Sequence, residues 1–474
     1  MRIVERDFLI LLAFCLFAVL LRWPTFLTTV IDHDESTYII IADQLLQGYF
    51  PYVHNVDVKP PGIYLLFSGI LTLFDSIFAI RVFAAIIVGV TGFILYRSHQ
   101  ILFSFPRVAI ASGVLFVICA SAHKWSWSAN TEVFFTCCTA TCLYLLLIAR
   151  KNWHFLFFGF IASIGFLIKF HIAFDILALA IFYLFWQGGN FKSWIKQMSL
   201  AFFAFSIPLL SLFFIYLYLG YEDHLRFALF SVPAGYRKEF SFLPTLGYLS
   251  EFYLSFLPFT ILWISGIYWS FRHKWLMPAQ WVLLVVTTII GWIGILITGK
   301  LFFHYYFQAL LPFCLFAFLP FMNQKGPYYF RWQNLNKVLF PIGSFLVLVV
   351  WLNQYIQIGR KPDVPKMVYE EIVPNWDDNK RVYTNYKNII YYLLDTRSPT
   401  KFTHTSILFH EDLIASYQVD TEQEFQSIVD QKMDYYILKD QASPVIENDI
   451  KQNFKLVKVF PENVILYTRI SKGE

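Results

Sequence analysis

The sequence predicts a polytopic α-helical membrane protein that ends in a small α/β domain. Of its 474 residues, 57% are hydrophobic and only 15% are charged, and the mean hydropathy is +0.54. A soluble protein carries about 25% charged residues. Apolar runs long enough to span a bilayer recur up to residue 356, and charges become frequent after it. The net charge of +5 comes from singly placed basic residues, which indicates no nucleic-acid partner.

The apolar runs predict about eleven membrane spans, with an acidic loop after the first. The first span covers about 8–30, and the loop covers 31–62. Pro60-Pro61 then opens a short apolar stretch to Phe74, which we expect to lie in the membrane interface. The other spans are expected near 78–96, 108–122, 132–149, 154–168, 172–186, 199–219, 246–270, 279–298, 305–322 and 338–356.

Residues 1–356 thus form the predicted membrane domain, and residues 357–474 a soluble domain of ordinary size. In the soluble domain, the last two strands are expected to pair as a hairpin around Pro461-Glu462-Asn463. Ser443 is expected to cap the last helix. Alternating and amphipathic patterns predict strands at 380–386, 435–439, 455–460 and 464–470, and helices at 388–394, 422–431 and 443–454.

Basic residues in the loops predict a cytoplasmic N-terminus, because Lys and Arg concentrate on the cytoplasmic side of membrane proteins. In this orientation the inner loops hold bases such as Arg97, Arg150, Lys151 and Lys192, and the acids of 31–62 lie outside. An odd number of spans then places the C-terminal domain outside the cytoplasm. We expect a multi-pass protein of the inner, plasma membrane.

The loop 31–62 holds the side chains best suited to chemistry. Carboxylates beside a membrane are costly unless they face water, pair or react, and this loop contains Asp34 and Glu35. An enzyme that moves a sugar onto a hydroxyl needs a carboxylate to take the acceptor proton. A phosphate leaving group needs a cation but no general acid. We therefore predict Asp34 or Glu35 as the base and Lys59 as the phosphate partner. The alternative is that the acids only cap helices.

Asp32-His33-Asp34 is also a DxD triplet, and such carboxylates can hold a divalent cation. The same pattern occurs in many loops without a metal, so a divalent metal ion is left open and no other cofactor is expected. The six cysteines lie in apolar runs without metal-ligand spacing, which is typical of small buried side chains.

Other polar residues stand at predicted outer helix ends. Glu132 either lines the same cavity or is a helix N-terminal acid favoured by the dipole. Lys169 and Arg81 either bind an anionic headgroup or extend to the interface. His304 and Tyr305 are also typical of an interfacial belt.

Taken in order, these residues resemble the membrane glycosyltransferases of the C-type (GT-C) fold. The branch is that of protein O-mannosyltransferases and the bacterial lipid A aminoarabinose transferase. The similarity covers roughly 8–320. It rests on Asp34-Glu35-Ser36-Thr37-Tyr38 and Lys59-Pro60-Pro61-Gly62, followed by Arg81, Glu132, Leu167 with Lys169, and His304-Tyr305 with Leu311-Pro312.

The resemblance implies transfer of a sugar from a polyprenyl-phosphate donor to a lipid, glycan or protein acceptor at the outer membrane face, usually with inversion. The chain departs from the family at two places. Phe170-His171 follows Lys169 where Gly-Pro is common, and Val58 stands where the aminoarabinose branch has Glu. The predicted site comprises catalytic Asp34 and Glu35; donor-phosphate residues Lys59, Lys169, Arg81 and His304; and cavity residues Tyr38, Asp57, Glu132 and Tyr305.

Two other functions fit a membrane protein: a transporter or flippase of lipid-linked glycans, and a non-catalytic scaffold. Transporters show repeated halves, with charges near the midplane of the bilayer, whereas the carboxylates of this chain cluster at one face.

Overall fold

The computed structural model describes residues 3–235, 238–322, 332–440 and 442–470. Helices dominate the first half of the chain. Their bounds are α1 Ile3–Arg22, α2 His33–Leu46, α3 Gly62–Phe74, α4 Ile77–Phe103, α5 Pro106–Ala122, α6 Thr131–Leu147, α7 Asn152–Ile168, α8 Ile172–Trp186, α9 Phe191–Tyr218, α10 Glu222–Arg226 and α11 Val232–Gly235.

A π-helical turn, Phe227–Ser231, joins α10 to α11. The second half of the chain contains further helices and all four strands of the described residues. These are α12 Phe242–Ser255, α13 Leu257–His273, α14 Pro278–Leu296, α15 Tyr306–Phe316, α16 Trp332–Gln354, α17 Val364–Ile372, β1 Val382–Thr384, α18 Ile390–Leu393, α19 Glu411–Tyr417, α20 Thr421–Asp430, β2 Tyr435–Lys439, α21 Pro444–Asn453, β3 Phe454–Phe460 and β4 Val464–Arg469.

Several helices have the length and composition of membrane spans. Within the described ranges, 5 helices are long and apolar enough to cross a membrane, or 6 if the bent pair α12 and α13 forms one span. Five shorter helices are also apolar. The protein is therefore a multi-pass membrane protein with a small C-terminal sheet, as predicted. The predicted number of eleven spans stays a prediction.

The span predicted over 246–270 is not one straight helix, because the chain bends there by 97° between α12 and α13. Pro258 lies in the first turn of α13. Proline lacks a backbone N–H and its ring clashes with the preceding turn, so it ends a helix on its N-terminal side. The Thr260 hydroxyl donates to the Tyr253 carbonyl over 2.7 Å and satisfies one oxygen at the break.

The chain forms two compact units, and the first comprises Met1–Thr25, Arg81–Ile215 and Lys238–Gln357. Close helix contacts in this unit require glycine. A Cβ at Gly89 of α4 would lie 2.6 Å from the Cα of Cys15 in α1. Small residues at helix interfaces allow backbones to approach closely, which favours association in a membrane.

The second unit comprises Phe26–Ile80, Tyr216–Arg237 and Ile358–Glu474. Its sheet has the order β1-β2-β4-β3. β1 pairs with β2 in parallel, and the other pairs are antiparallel. Side chains alternate between the two faces, so that Tyr435 and Ile437 join one apolar cluster while Tyr436 and Leu438 join the other.

The second unit also takes residues of the acidic loop into both clusters. Ile40 of α2 packs on one face of the sheet, and Val56 packs on the other. The predicted terminal hairpin is present as β3 and β4, and Ser443 caps α21 by accepting the Ile446 N–H. The predicted domain division at residue 357 stays a prediction. The second compact unit combines residues 358–474 with two earlier segments, 26–80 and 216–237.

Candidate active site

Helix α2 carries Asp34 in its first turn. The residue before the helix, Asp32, has an extended backbone (φ −138°, ψ 147°). Its Oδ1 accepts the Asp34 N–H over 3.2 Å. This cap and the helix dipole both favour carboxylates at the N-terminus. One turn later, the Tyr38 hydroxyl donates to Asp34 Oδ2 over 3.2 Å.

Lys59 is brought to the same carboxylate from the far end of the loop. Its ammonium lies 3.2 Å from Asp34 Oδ2 and 5.6 Å from the centre of the Tyr38 ring. The Tyr52 hydroxyl donates to the Lys59 carbonyl over 2.5 Å and fixes its backbone. Asp34, a predicted base, therefore lies in contact with Lys59, the predicted phosphate partner, and with Tyr38, a predicted cavity residue.

Burial separates the two candidate bases. The Asp34 side chain is 23% exposed and that of Lys59 is 17% exposed, whereas Glu35 is 1% exposed. A substrate in solution or at the membrane surface can reach Asp34 directly. Asp57 is also buried, and its Oδ2 accepts the Tyr64 hydroxyl over 2.7 Å, so this carboxylate supports the loop.

Two residues of the C-terminal region reach the same site. His404 Nε2 lies 3.5 Å from Asp34 Oδ1, and the Lys387 ammonium lies 2.9 Å from His33 Nε2. Neither residue is predicted from the sequence, because both lie more than 300 residues after the loop and in no motif. Lys387 precedes a short helix and His404 follows it, in a region of mixed charge. Nothing in this local pattern links the two residues to the loop.

His33 is neutral at physiological pH. Burial, then the positive charge of Lys387 and the nearby His404, lower its pKa from 6.5 to about 3. A neutral imidazole has a free lone pair on one ring nitrogen. The Lys387 ammonium therefore donates to His33 Nε2, which ties the start of α2 to the C-terminal region.

The Asp32-His33-Asp34 triplet does not fit a shared metal ion. Asp32 caps the helix, His33 contacts Lys387, and Asp34 contacts Lys59. Across the described part of the chain, no group of three or more His, Cys, Asp or Glu side chains is arranged to hold a metal.

A second polar group lies in the first compact unit. Glu132 at the start of α6 forms a buried ion pair with Lys169, which follows α7. His304 Nε2 lies 3.8 Å from the same carboxylate, and the Lys169 ammonium lies 4.1 Å from the centre of the Tyr305 ring. The structure thus joins four of the residues predicted for the donor and the cavity.

Arg81 is buried in the same unit and donates to the Thr25 carbonyl over 3.1 Å. The sequence analysis missed Asp175, a buried acid one turn after His171. Its carboxylate accepts from Gln308 over 2.7 Å and from Thr139 over 2.9 Å. These bonds tie α6, α8 and α15 together near the Glu132 group.

Residues 58–216 match the model of the dolichyl-phosphate-mannose-protein mannosyltransferase family. The matched range includes Lys59, Arg81, Glu132 and Lys169. It confirms the resemblance predicted from these residues.

Two solved structures are similar to the whole chain. One is the Archaeoglobus fulgidus oligosaccharyltransferase in complex with zinc and sulfate, which is 13% identical and covers 97% of this chain and 73% of that chain with a TM-score of 0.47. The other is the oligosaccharyltransferase AglB of the same organism with an inhibitory peptide and dolichol-phosphate, which is 11% identical and covers 100% of this chain and 75% of that chain with a TM-score of 0.47. No curated protein matches the sequence at a significant level.

Proposed function

We propose that this membrane glycosyltransferase transfers a sugar from a polyprenyl-phosphate donor to a hydroxyl of a lipid, glycan or protein acceptor. The observation that carries the proposal is the Asp34–Lys59 contact, which sets a partly exposed carboxylate beside an ammonium. The family match over residues 58–216 supports the donor class. The reaction takes place at the outer face of the plasma membrane, with the C-terminal region on the same side.

Asp34 acts as the general base. It takes the proton of the acceptor hydroxyl while the acceptor oxygen forms a bond to the anomeric carbon of the sugar. The bond between that carbon and the phosphate oxygen breaks, and the phosphate keeps the electron pair. Attack from the face opposite the leaving phosphate inverts the anomeric configuration.

Lys59 stabilises the leaving phosphate. Its ammonium contacts Asp34 in the free enzyme. When a donor phosphate binds beside the base, the same ammonium stabilises the negative charge on that phosphate. Lys169, Arg81 and His304 keep the role that the sequence suggested, as proposed cationic or hydrogen-bonding groups for a donor phosphate. Glu132 and Tyr305 position them through the contacts described above.

Glu35 is assigned as a positioning residue because its side chain is buried. A buried carboxylate orients the first turn of α2 but does not meet an acceptor. Tyr38 contacts one oxygen of Asp34 and His404 the other, so that the carboxylate keeps one orientation.

The first prediction tests the base. Asp34→Asn keeps the shape but cannot take a proton, and loss of a general base costs about 10²–10⁴ in rate. Cells that lack the protein are complemented with wild type or variants, and their glycolipids and glycoproteins are profiled by mass spectrometry. We expect the missing sugar to return with wild type and not with Asp34→Asn.

Asp43→Asn is the matched control, since Asp43 lies in the same helix and bonds only Gln47 among its described hydrogen-bond partners. It should restore the product, provided that immunoblots show equal protein levels. Full product with Asp34→Asn would exclude Asp34 as the base and favour the transporter or scaffold.

A further inference from the structure

A cleft separate from the Asp34–Lys59 contact lies in the compact unit that contains Asp34. It has a volume of about 220 Å³. Three parts of the unit form it: the loop around Tyr52 and Val56, the segment after α9 that includes Phe227, and the C-terminal region from Lys401 to Tyr417. The mechanism proposed above makes no use of this cleft.

The walls of the cleft are aromatic and its rim is polar. Tyr52, Phe402 and Tyr417 are buried, and the rings of the last two meet edge to face at 6.2 Å. His224 and Lys401 stand exposed at the rim. A concave site with apolar and aromatic walls and a few polar groups is the usual form of a small-molecule site.

Two backbone irregularities meet at the same cleft. Tyr52 has φ of +68°, the left-handed region that bulky residues avoid. Phe227 opens the π-helical turn Phe227–Ser231. Both features cost energy and concentrate at functional sites in proteins. The rings of Tyr52 and Phe227 both line the cleft.

Lys59 connects the cleft to the base. Its carbonyl accepts the Tyr52 hydroxyl over 2.5 Å, and its ammonium lies 3.2 Å from Asp34. Lys59 therefore contacts a wall residue of the cleft, Tyr52, through its backbone and the proposed base, Asp34, through its side chain. A chain-like acceptor that rests in the cleft can present a hydroxyl to Asp34.

We propose that the cleft binds a neutral saccharide unit of an acceptor glycan, an inference that rests on the proposed transferase function. A pyranose ring packs its C–H face on aromatic rings and directs its hydroxyls to polar groups. The rim carries an acid, Asp223, as well as Lys401 and His224, so neither sign of charge prevails. These features favour a neutral polar ligand over an acidic or basic peptide.

The test uses the full-length protein in detergent on a printed array of neutral oligosaccharides of mannose, glucose, galactose and arabinose, with printed peptides beside them. Wild type should bind at least one glycan series. Phe227→Ala removes a wall ring and should weaken that signal about tenfold, the loss expected for an anchoring aromatic side chain.

Phe230→Ala is the control, because Phe230 lies in the same turn, is 68% exposed and does not line the cleft. It should bind like wild type. Lys401→Ala gives a second test at the exposed rim and should also weaken binding, in case Phe227→Ala lowers the melting temperature.

Asp34→Asn should bind the same glycans as wild type, since Asp34 is not part of the cleft. If Asp34→Asn keeps both glycan binding and activity, the proposed mechanism fails and the cleft assignment stands. The cleft assignment fails if wild type binds no printed glycan, if Phe227→Ala and Lys401→Ala both bind like wild type, or if Phe227→Ala abolishes a signal on peptides alone.

Discussion

At the scale of single residues, exposure distinguishes the two adjacent acids that the sequence offers as the base. Asp34 and Glu35 follow each other in the sequence, but only Asp34 keeps part of its carboxylate accessible. Asp34 and Tyr38 are four residues apart, and this spacing brings their side chains together on a helix. The burial of Glu35 was not predictable, because it depends on how residues distant in sequence pack around α2.

Lys59 gives a second prediction at this scale. Lys59→Ala removes the charge beside the leaving phosphate, and we expect severe loss of product in the complementation profile. Lys59→Arg keeps the charge but replaces a compact ammonium by a planar guanidinium, so only partial recovery is expected. Equal product from Lys59→Ala and wild type would remove this residue from the mechanism.

Asp43 gives a prediction about pH. Burial, helped by the charges of Asp395 and Asp75, raises its pKa from 3.8 to about 6. A carboxyl with a higher pKa in the folded state stabilises the fold most at low pH, and this stability is lost as the pH rises from about 4 to 6. We expect Asp43→Asn to melt at a higher temperature than wild type at about pH 7.5.

At about pH 4 the two proteins should melt at the same temperature, because Asp43 is then mostly protonated in the folded state. Differential scanning fluorimetry in a mild detergent measures both conditions. A difference in melting temperature that is the same at both pH values would show that the charge of Asp43 does not cause it.

At the scale of helices and strands, local patterns predicted what depends on neighbours in sequence. Strand β2 and the hairpin of β3 and β4 follow from alternation and from turn residues. The break between α12 and α13 was missed because the apolar run hides it, although Pro258 marks the position. Helix α17 was missed because it has only 9 residues and carries Pro365 in its first turn.

The buried pair of Glu132 and Lys169 gives a prediction at this scale, since it joins the start of α6 to the end of α7. Removing one partner leaves an uncompensated buried charge, which costs about 3–5 kcal/mol. We expect Lys169→Met to lower the melting temperature strongly, and the double variant Glu132→Gln with Lys169→Met to recover much of the loss.

Lys192→Met serves as the control, because Lys192 is exposed at the start of α9. It should leave the melting temperature unchanged. If Lys169→Met behaves like Lys192→Met, the pair does not stabilise the fold.

At the scale of the whole molecule, the sequence predicted a helical membrane part and a small sheet but not how they combine. The acidic loop shares one compact unit with the C-terminal region. The Val56 N–H donates to the Lys401 carbonyl over 2.9 Å, and the Asn388 side chain donates to the Thr37 hydroxyl over 2.8 Å. Contacts across more than 300 residues leave no periodic signal in a single sequence.

This shared unit also constrains the membrane topology. Because His404 and Lys387 contact the first turn of α2, the C-terminal region and the loop 31–62 must lie on the same side of the membrane. The distribution of Lys and Arg in the loops predicts that this side lies outside the cytoplasm. A single reporter in the C-terminal region therefore tests the side on which both segments lie.

Lys451→Cys supplies that reporter, since Lys451 is exposed on α21. Ser443 is less suitable because its hydroxyl caps the same helix. We expect it to react with a membrane-impermeant maleimide on intact cells once any outer membrane has been permeabilised. Lys192→Cys, in a predicted inner loop, should react only after lysis. The six native cysteines are buried or half-buried, which keeps the background low. The reverse pattern would place Asp34 in the cytoplasm, where a donor at the outer face cannot reach it, and would contradict the proposed reaction.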